Sequence, residues 1–247
     1  MESKMLKWGW ILIGGLLVGL GQACSNSGQL STSESTVTAA ADPGCTTPDG
    51  MSGAPQSIDE AVQLINALPK PLTIGCFLQS LARPLKVNLT NSTTSAQPAD
   101  STSNPRIFVM MDALVISVVP KGVGSKVVEF SQFVDSSNTI KGEIEFPVQQ
   151  NMARSAPFDR IRFGSGTVCV FCHSGESRYT AITYADAFQS KAFRPRPDTV
   201  VPLSGLKNEF SNCSPALEPE RCQILRGLFG QGQVIESHFP SALPTFF

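Results

Sequence analysis

The chain has 247 residues, a formal net charge of −1, 41% hydrophobic residues and only 16% charged ones. That length supports one large domain or two small ones with a real hydrophobic core. A charge so close to zero leaves no electrostatic footprint for nucleic acid, which is therefore not an expected partner.

Lys4 and Lys7 open the chain, and Trp8 to Leu20 is an unbroken run of apolar residues and glycine. Gly21, Gln22 and Ala23 follow, with small residues where a signal peptidase cuts. Residues 1–23 are therefore expected to be a secretory signal. The run is shorter than the roughly 20 residues that cross a bilayer. Cys24, directly after a small residue, resembles the lipobox of bacterial lipoproteins. That resemblance implies that Cys24 becomes the lipidated N-terminus and anchors an exported protein to a membrane, in the periplasm or on the outer surface. Gly21 stands where that family usually has Leu, and plain cleavage after Ala23 fits the same residues. Residues 24–44 are rich in Ser, Thr, Ala and Gly and cannot bury enough surface to order themselves. They read as a tether with an end-to-end distance of roughly 25 Å.

The expected folded body starts near Cys45, and residues 45–155 read as a helix plus an antiparallel β domain. Ser57-Ile58-Asp59-Glu60 is a capping box. Ile58, Ala61, Val62, Leu64, Ile65 and Leu68 recur at helical spacing behind it, and Pro69 and Pro71 end the helix. Leu72 to Thr90 predicts one or two short strands, and Asn91 to Pro105 a polar loop. Ile107 to Val119, rich in Val, Ile and Met and broken once at Asp112, predicts a buried strand or two strands with a kink. Val127 to Val134 is another strand. Thr139 to Phe146 alternates, with Ile140, Ile144 and Phe146 on one face and Lys141, Glu143 and Glu145 on a wet one. Strands joined by short turns predict an antiparallel sheet or small sandwich.

Residues 156–247 read differently, as a mainly helical segment. Arg160 to Phe163 predicts a short strand, Thr180 to Ser190 a helix, and Pro219 to Phe229 a second helix that Gly230 ends. The expected fold class is thus α+β, an antiparallel sheet or small sandwich followed by that helical segment.

Inside this segment lies Cys169-Val170-Phe171-Cys172-His173, the C-x-x-C-H spacing that attaches c-type haem. Two thiols about one helical turn apart can reach the two vinyl groups of a porphyrin, and the histidine then turns toward the iron. The motif resembles c-type cytochromes over five of the 247 residues. The resemblance implies a covalent haem c on Cys169 and Cys172, His173 as proximal ligand, and electron exchange with a redox partner of the cell envelope. In the familiar small cytochromes c a distal methionine lies downstream; none follows the motif here. His238 therefore ranks first as sixth ligand, ahead of an open site and of Met110, Met111 and Met152. Arg160 and Arg162 would share a strand face and hold the propionates; the plainer reading is a solvated face. Giving Cys24 to lipid and the motif cysteines to haem leaves four of the seven cysteines. They pair most simply as Cys45–Cys76 and Cys213–Cys222, although four cysteines permit three pairings.

The same pentapeptide also admits a simple disulfide, a redox dithiol or half of a zinc site. The competing function is a haem-free cell-envelope lipoprotein in which Cys169–Cys172 is a structural disulfide and the β domain binds a partner or has a structural role. The chain has only two histidines, one of them in the motif. A Ser-His-Asp triad is therefore not expected, and the expectation leans to an electron carrier or binding protein rather than an enzyme.

Overall fold

The computed structural model describes residues 43–99 and 101–246. The expected signal peptide, Cys24 and nearly all of the tether lie outside the described residues. The fold is α+β. In chain order come α1 (Ile58–Ala67), α2 (Ile74–Gln79), β1 (Leu85–Thr90), β2 (Arg106–Met110), β3 (Leu114–Val118), β4 (Val127–Phe133) and β5 (Asn138–Glu145). Then follow α3 (Ala156–Arg160), β6 (Arg162–Phe163), β7 (Gly166–Thr167), β8 (Ser177–Arg178), β9 (Phe188–Lys191), α4 (Leu203–Ser211), α5 (Pro219–Phe229) and β10 (Val234–Glu236).

Eight strands form one sheet in the order β10-β1-β2-β3-β4-β5-β9-β8, while β6 and β7 pair separately. Every neighbour in the large sheet is antiparallel except β10, which runs parallel to β1. Because side chains alternate across a strand, the sheet has two faces. The inner one is apolar. Val87, Ile107, Ile116, Val128, Ile140 and Ile144 join Ile65 of α1, Phe77 of α2 and Leu225 of α5 in one buried cluster.

The first helix starts as its capping residues dictate. Ser57 Oγ accepts the Glu60 N–H at 3.1 Å, and the Glu60 carboxylate accepts the Gln56 N–H at 2.7 Å. The apolar run through residue 119 is a β2–β3 hairpin with Asp112 in its turn, where the Met111 N–H donates to Leu114 O. Helices α2 and α5 cross at glycine. A Cβ on Gly227 would lie 2.2 Å from Gly75 O, so only a bare backbone lets the two approach. Disulfides close Cys45 onto Cys76 and Cys213 onto Cys222. The first ties the start of the described body to α2, and the second ties the first turn of α5 to the loop before it.

Two local expectations fail. Arg160 to Phe163 is not one strand: α3 ends at Arg160 and β6 begins at Arg162. Pro157 sits in the first turn of α3, where its fixed φ and missing N–H suit a helix start. Thr180 to Ser190 is not a helix either. Its end is β9, which pairs Ser190 with Thr139 and Gln189 with Ile140 on the open edge of β5. Ile182 and Ala185 still pack on the core, but from a loop. The tertiary demand of an unpaired strand edge outweighs a weak helical spacing. The segment 156–247 thus completes the sheet as well as carrying α3, α4 and α5. No helix among the described residues is long and apolar enough to cross a membrane.

Candidate functional site

The C-x-x-C-H motif is placed by a chain of small contacts. Gly164 adopts a left-handed φ of 56° in the β6–β7 turn, which delivers Thr167 to the start of one 3₁₀ turn, Val168–Phe171. Thr167 Oγ1 accepts the Cys169 N–H at 3.2 Å. Glu176 in turn holds Thr167: its carboxylate accepts the Thr167 N–H at 2.9 Å and also the Thr167 hydroxyl. The His173 N–H donates to Cys169 O at 2.8 Å, which folds the histidine back beside the first cysteine.

Both thiols are unbonded, whereas the four described cysteines outside the motif are all in disulfides. Cys169, Cys172 and His173 line one cavity of about 200 Å³. Among the described residues no three His, Cys, Asp or Glu side chains come together as a metal-ion site.

His173 Nδ1 lies 2.8 Å from the main-chain oxygen of Lys191. A carbonyl only accepts, so Nδ1 carries the proton and Nε2 keeps its lone pair. Phe193 and Phe246 flank the imidazole at ring-centroid distances of 5.3 and 6.0 Å. Burial first, and then the charge of Lys141, lowers the His173 pKa to about 4, so the ring is neutral at ordinary pH. Burial likewise pushes the Cys169 thiol up to about 11, against the opposing pull of the Thr167 hydroxyl and Lys141.

Another wall of the cavity is the outer face of the sheet. The β4–β5 register puts Ser131 opposite Lys141 and Glu129 opposite Glu143, and Ser117 of β3 lies opposite Glu129. All five line the cavity together with Arg106 of β2. Arg106 pairs with Glu129 and also donates to Ser117 Oγ at 2.6 Å. Lys141 Nζ donates to Ser131 Oγ at 2.5 Å and Thr139 Oγ1 at 2.7 Å. Burial lowers its pKa to about 8. Burial, and then Glu129, raise the pKa of Glu143. Phe108 and Phe239 close another side, edge to face at 5.2 Å.

The structure thus gathers Cys169, Cys172 and His173 at one cavity but leaves Arg160, Arg162 and His238 outside its lining. Arg160 ends α3 and pairs with Glu145 at 2.9 Å and Glu143 at 3.7 Å. Arg162 lies over the Phe188 ring at 4.8 Å and 3.9 Å from Asp186. The expected shared strand face does not exist, and neither arginine lines the cavity. His238 is exposed, and of that pair only its neighbour Phe239 faces the cavity. Arg106 and Lys141 are the residues that sequence reasoning passed over. Lys141 had only alternation as a signal, which reads equally as a solvated face, and Arg106 precedes an apolar run that does not alternate. Comparison with protein-family models, with curated proteins and with solved structures finds no match.

Proposed function

We propose that this chain is an exported, lipid-anchored monohaem c-type electron carrier, with Cys169 and Cys172 as the thioether attachment points and His173 as an iron ligand. One observation carries the reading. The two motif thiols are unbonded beside a cavity while the Lys191 carbonyl fixes the His173 tautomer and leaves Nε2 as a free lone pair. A histidine ligand needs such a partner on its other nitrogen, which orients the ring and raises its basicity. The residues present fit the group: two thiols, a neutral imidazole, and an aromatic lining from Phe108, Phe193, Phe239 and Phe246.

Haem bound there supplies a one-electron iron couple, and the protein contributes ligation, burial and electrostatics. Attachment would add the Cys169 and Cys172 S–H bonds across the two vinyl double bonds, so no oxidant or reductant would be consumed. Phe163 and Phe171, with ring centroids 5.5 Å apart, and Val168 and Val170 are exposed around the motif. This apolar rim is the contact surface for the redox partner, because an exposed apolar cluster marks an interaction site. Cys24 is the membrane anchor in this reading.

The haem-free lipoprotein reading carries a Cys169–Cys172 bond, whereas both thiols are unbonded. A thiol–disulfide exchange role needs a thiolate of low pKa, and Cys169 lies on the other side of its ordinary value.

The test is intact mass and a visible spectrum of protein made in a host with a cytochrome c maturation system. One covalent haem and a Soret band that survives acid–acetone extraction are expected. A Cys169→Ala/Cys172→Ala variant should be colourless. Wild-type polypeptide with no added haem mass would end the proposal.

A further inference from the structure

We propose that Lys141 is the second protein ligand of the iron, its amine partnering His173; this inference rests on the haem reading of the motif. The cavity lining limits the choice. It contains no methionine and no second histidine: Met110, Met111, Met152 and His238 all lie outside it. Beyond the motif and weakly coordinating hydroxyls, the side chains there that can give iron a lone pair are Lys141, Glu129 and Glu143. Glu129 is held by Arg106, and Glu143 faces Arg160 at 3.7 Å. Lys141 takes part in no ion pair among the described residues.

The bonding of its nitrogen suits a ligand. An ammonium has three N–H donors and no lone pair, whereas a neutral amine has two N–H donors and one lone pair. Lys141 makes two hydrogen bonds, to Ser131 and Thr139, both on the outer face of the sheet. One tetrahedral position of the nitrogen is left over, and in the neutral amine that position is the lone pair. Ligation exchanges an N–H bond for an N–Fe bond. One proton leaves to solvent, and the iron oxidation state is unchanged.

The experiment uses full-length holoprotein matured in the same host, with haem attachment checked first by mass. Wild type is expected to be low-spin, and its ferrous form should bind carbon monoxide slowly. Lys141→Ala should retain covalent haem, become high-spin and bind carbon monoxide at least ~10-fold faster. Lys141→Arg keeps the positive charge and the length but offers iron no lone pair, so it too should be high-spin. Lys141→His should return the low-spin spectrum. A low-spin Lys141→Arg with unchanged carbon monoxide kinetics overturns the inference while leaving the haem reading intact. Wild type without covalent haem overturns both, and the mass measurement tells the two failures apart.

Discussion

The two faces of the β4–β5 hairpin follow one backbone and do opposite work. Inward, Val128, Ile140 and Ile144 are nearly inaccessible and pack under α1 and α2. Outward, Glu129, Ser131, Lys141 and Glu143 occupy the intervening positions and line the motif cavity. The inner face converts buried area into stability. The outer face holds half-buried charge, which costs desolvation and is retained where a site uses it. Neighbouring residues should therefore differ sharply when truncated.

Ile140 and Lys141 make the sharpest form of that comparison. Ile140→Ala should lose about 2–5 kcal/mol of stability, because it leaves a cavity in the close-packed layer. For a body of this size that lowers the melting temperature by roughly 4–20 °C. On the haem reading, covalent attachment should persist. Lys141→Ala removes two hydrogen bonds to hydroxyls and one desolvated charge, effects of opposite sign, so its stability change should stay within about 1 kcal/mol. Thermal denaturation of both variants in the haem-free form checks this. Equal losses would mean that the outer face is ordinary core rather than a site.

Gly142, the inward residue between Ile140 and Ile144, adds a smaller effect. A Cβ there would meet Pro157 Cβ at 2.9 Å and Ile58 Cδ1 at 3.4 Å. Gly142→Ala should therefore cost about 1–3 kcal/mol through overpacking against α3. Its outward neighbours should keep their geometry, so on the haem reading the visible spectrum should not change. A melting temperature equal to wild type would show that α3 yields freely and is not part of the inner packing.

The same contrast explains what the amino-acid sequence disclosed. Alternation through Thr139 to Phe146 was legible because burial on one side forces a period of two. The C-x-x-C-H spacing was visible as it stands, and the structure gathers its three side chains at one cavity. The partners of the motif were not. The oxygen that orients His173 belongs to the backbone of Lys191, and a carbonyl has no residue signature. Lys141 reaches the cavity only through the register of β4 on β5, and the cavity's remaining walls come from residues 90–96, 192–199, Phe239 and Phe246. Such closure over long sequence separations is tertiary information. Strand β10 is a related case: three residues, Val234–Glu236, lie parallel to β1 with no local pattern to announce them. Arg160 and Arg162 misled for a complementary reason. Two residues of spacing mean one face only if the segment is extended, and α3 ends between them.

The turn that joins β4 to β5 helps set their register and gives the smallest predicted effect. Asp135 accepts the N–H groups of Ser137 and Asn138 at 2.7 and 2.8 Å, and its carboxylate also binds the Asn138 side-chain amide. These bonds, the Asn138 side chain first, hold the Asp135 pKa below its ordinary value of 3.8. A carboxyl whose folded pKa is depressed contributes stability above its unfolded pKa, and loses it as pH falls through the folded one. Asp135→Ala should therefore lower the urea midpoint modestly at pH 7, with the deficit narrowing as pH drops below about 4. Asp135 is fully exposed, so solvent screens the effect and the shift should be smaller than that of Gly142→Ala. A slip of one residue would exchange the two faces; the inner apolar set resists that far more strongly than one turn carboxylate. If Asp135→Ala instead exposed Ile140 and Ile144 to solvent, as hydrogen exchange across β5 would reveal, the turn rather than the core would be setting which face becomes the site.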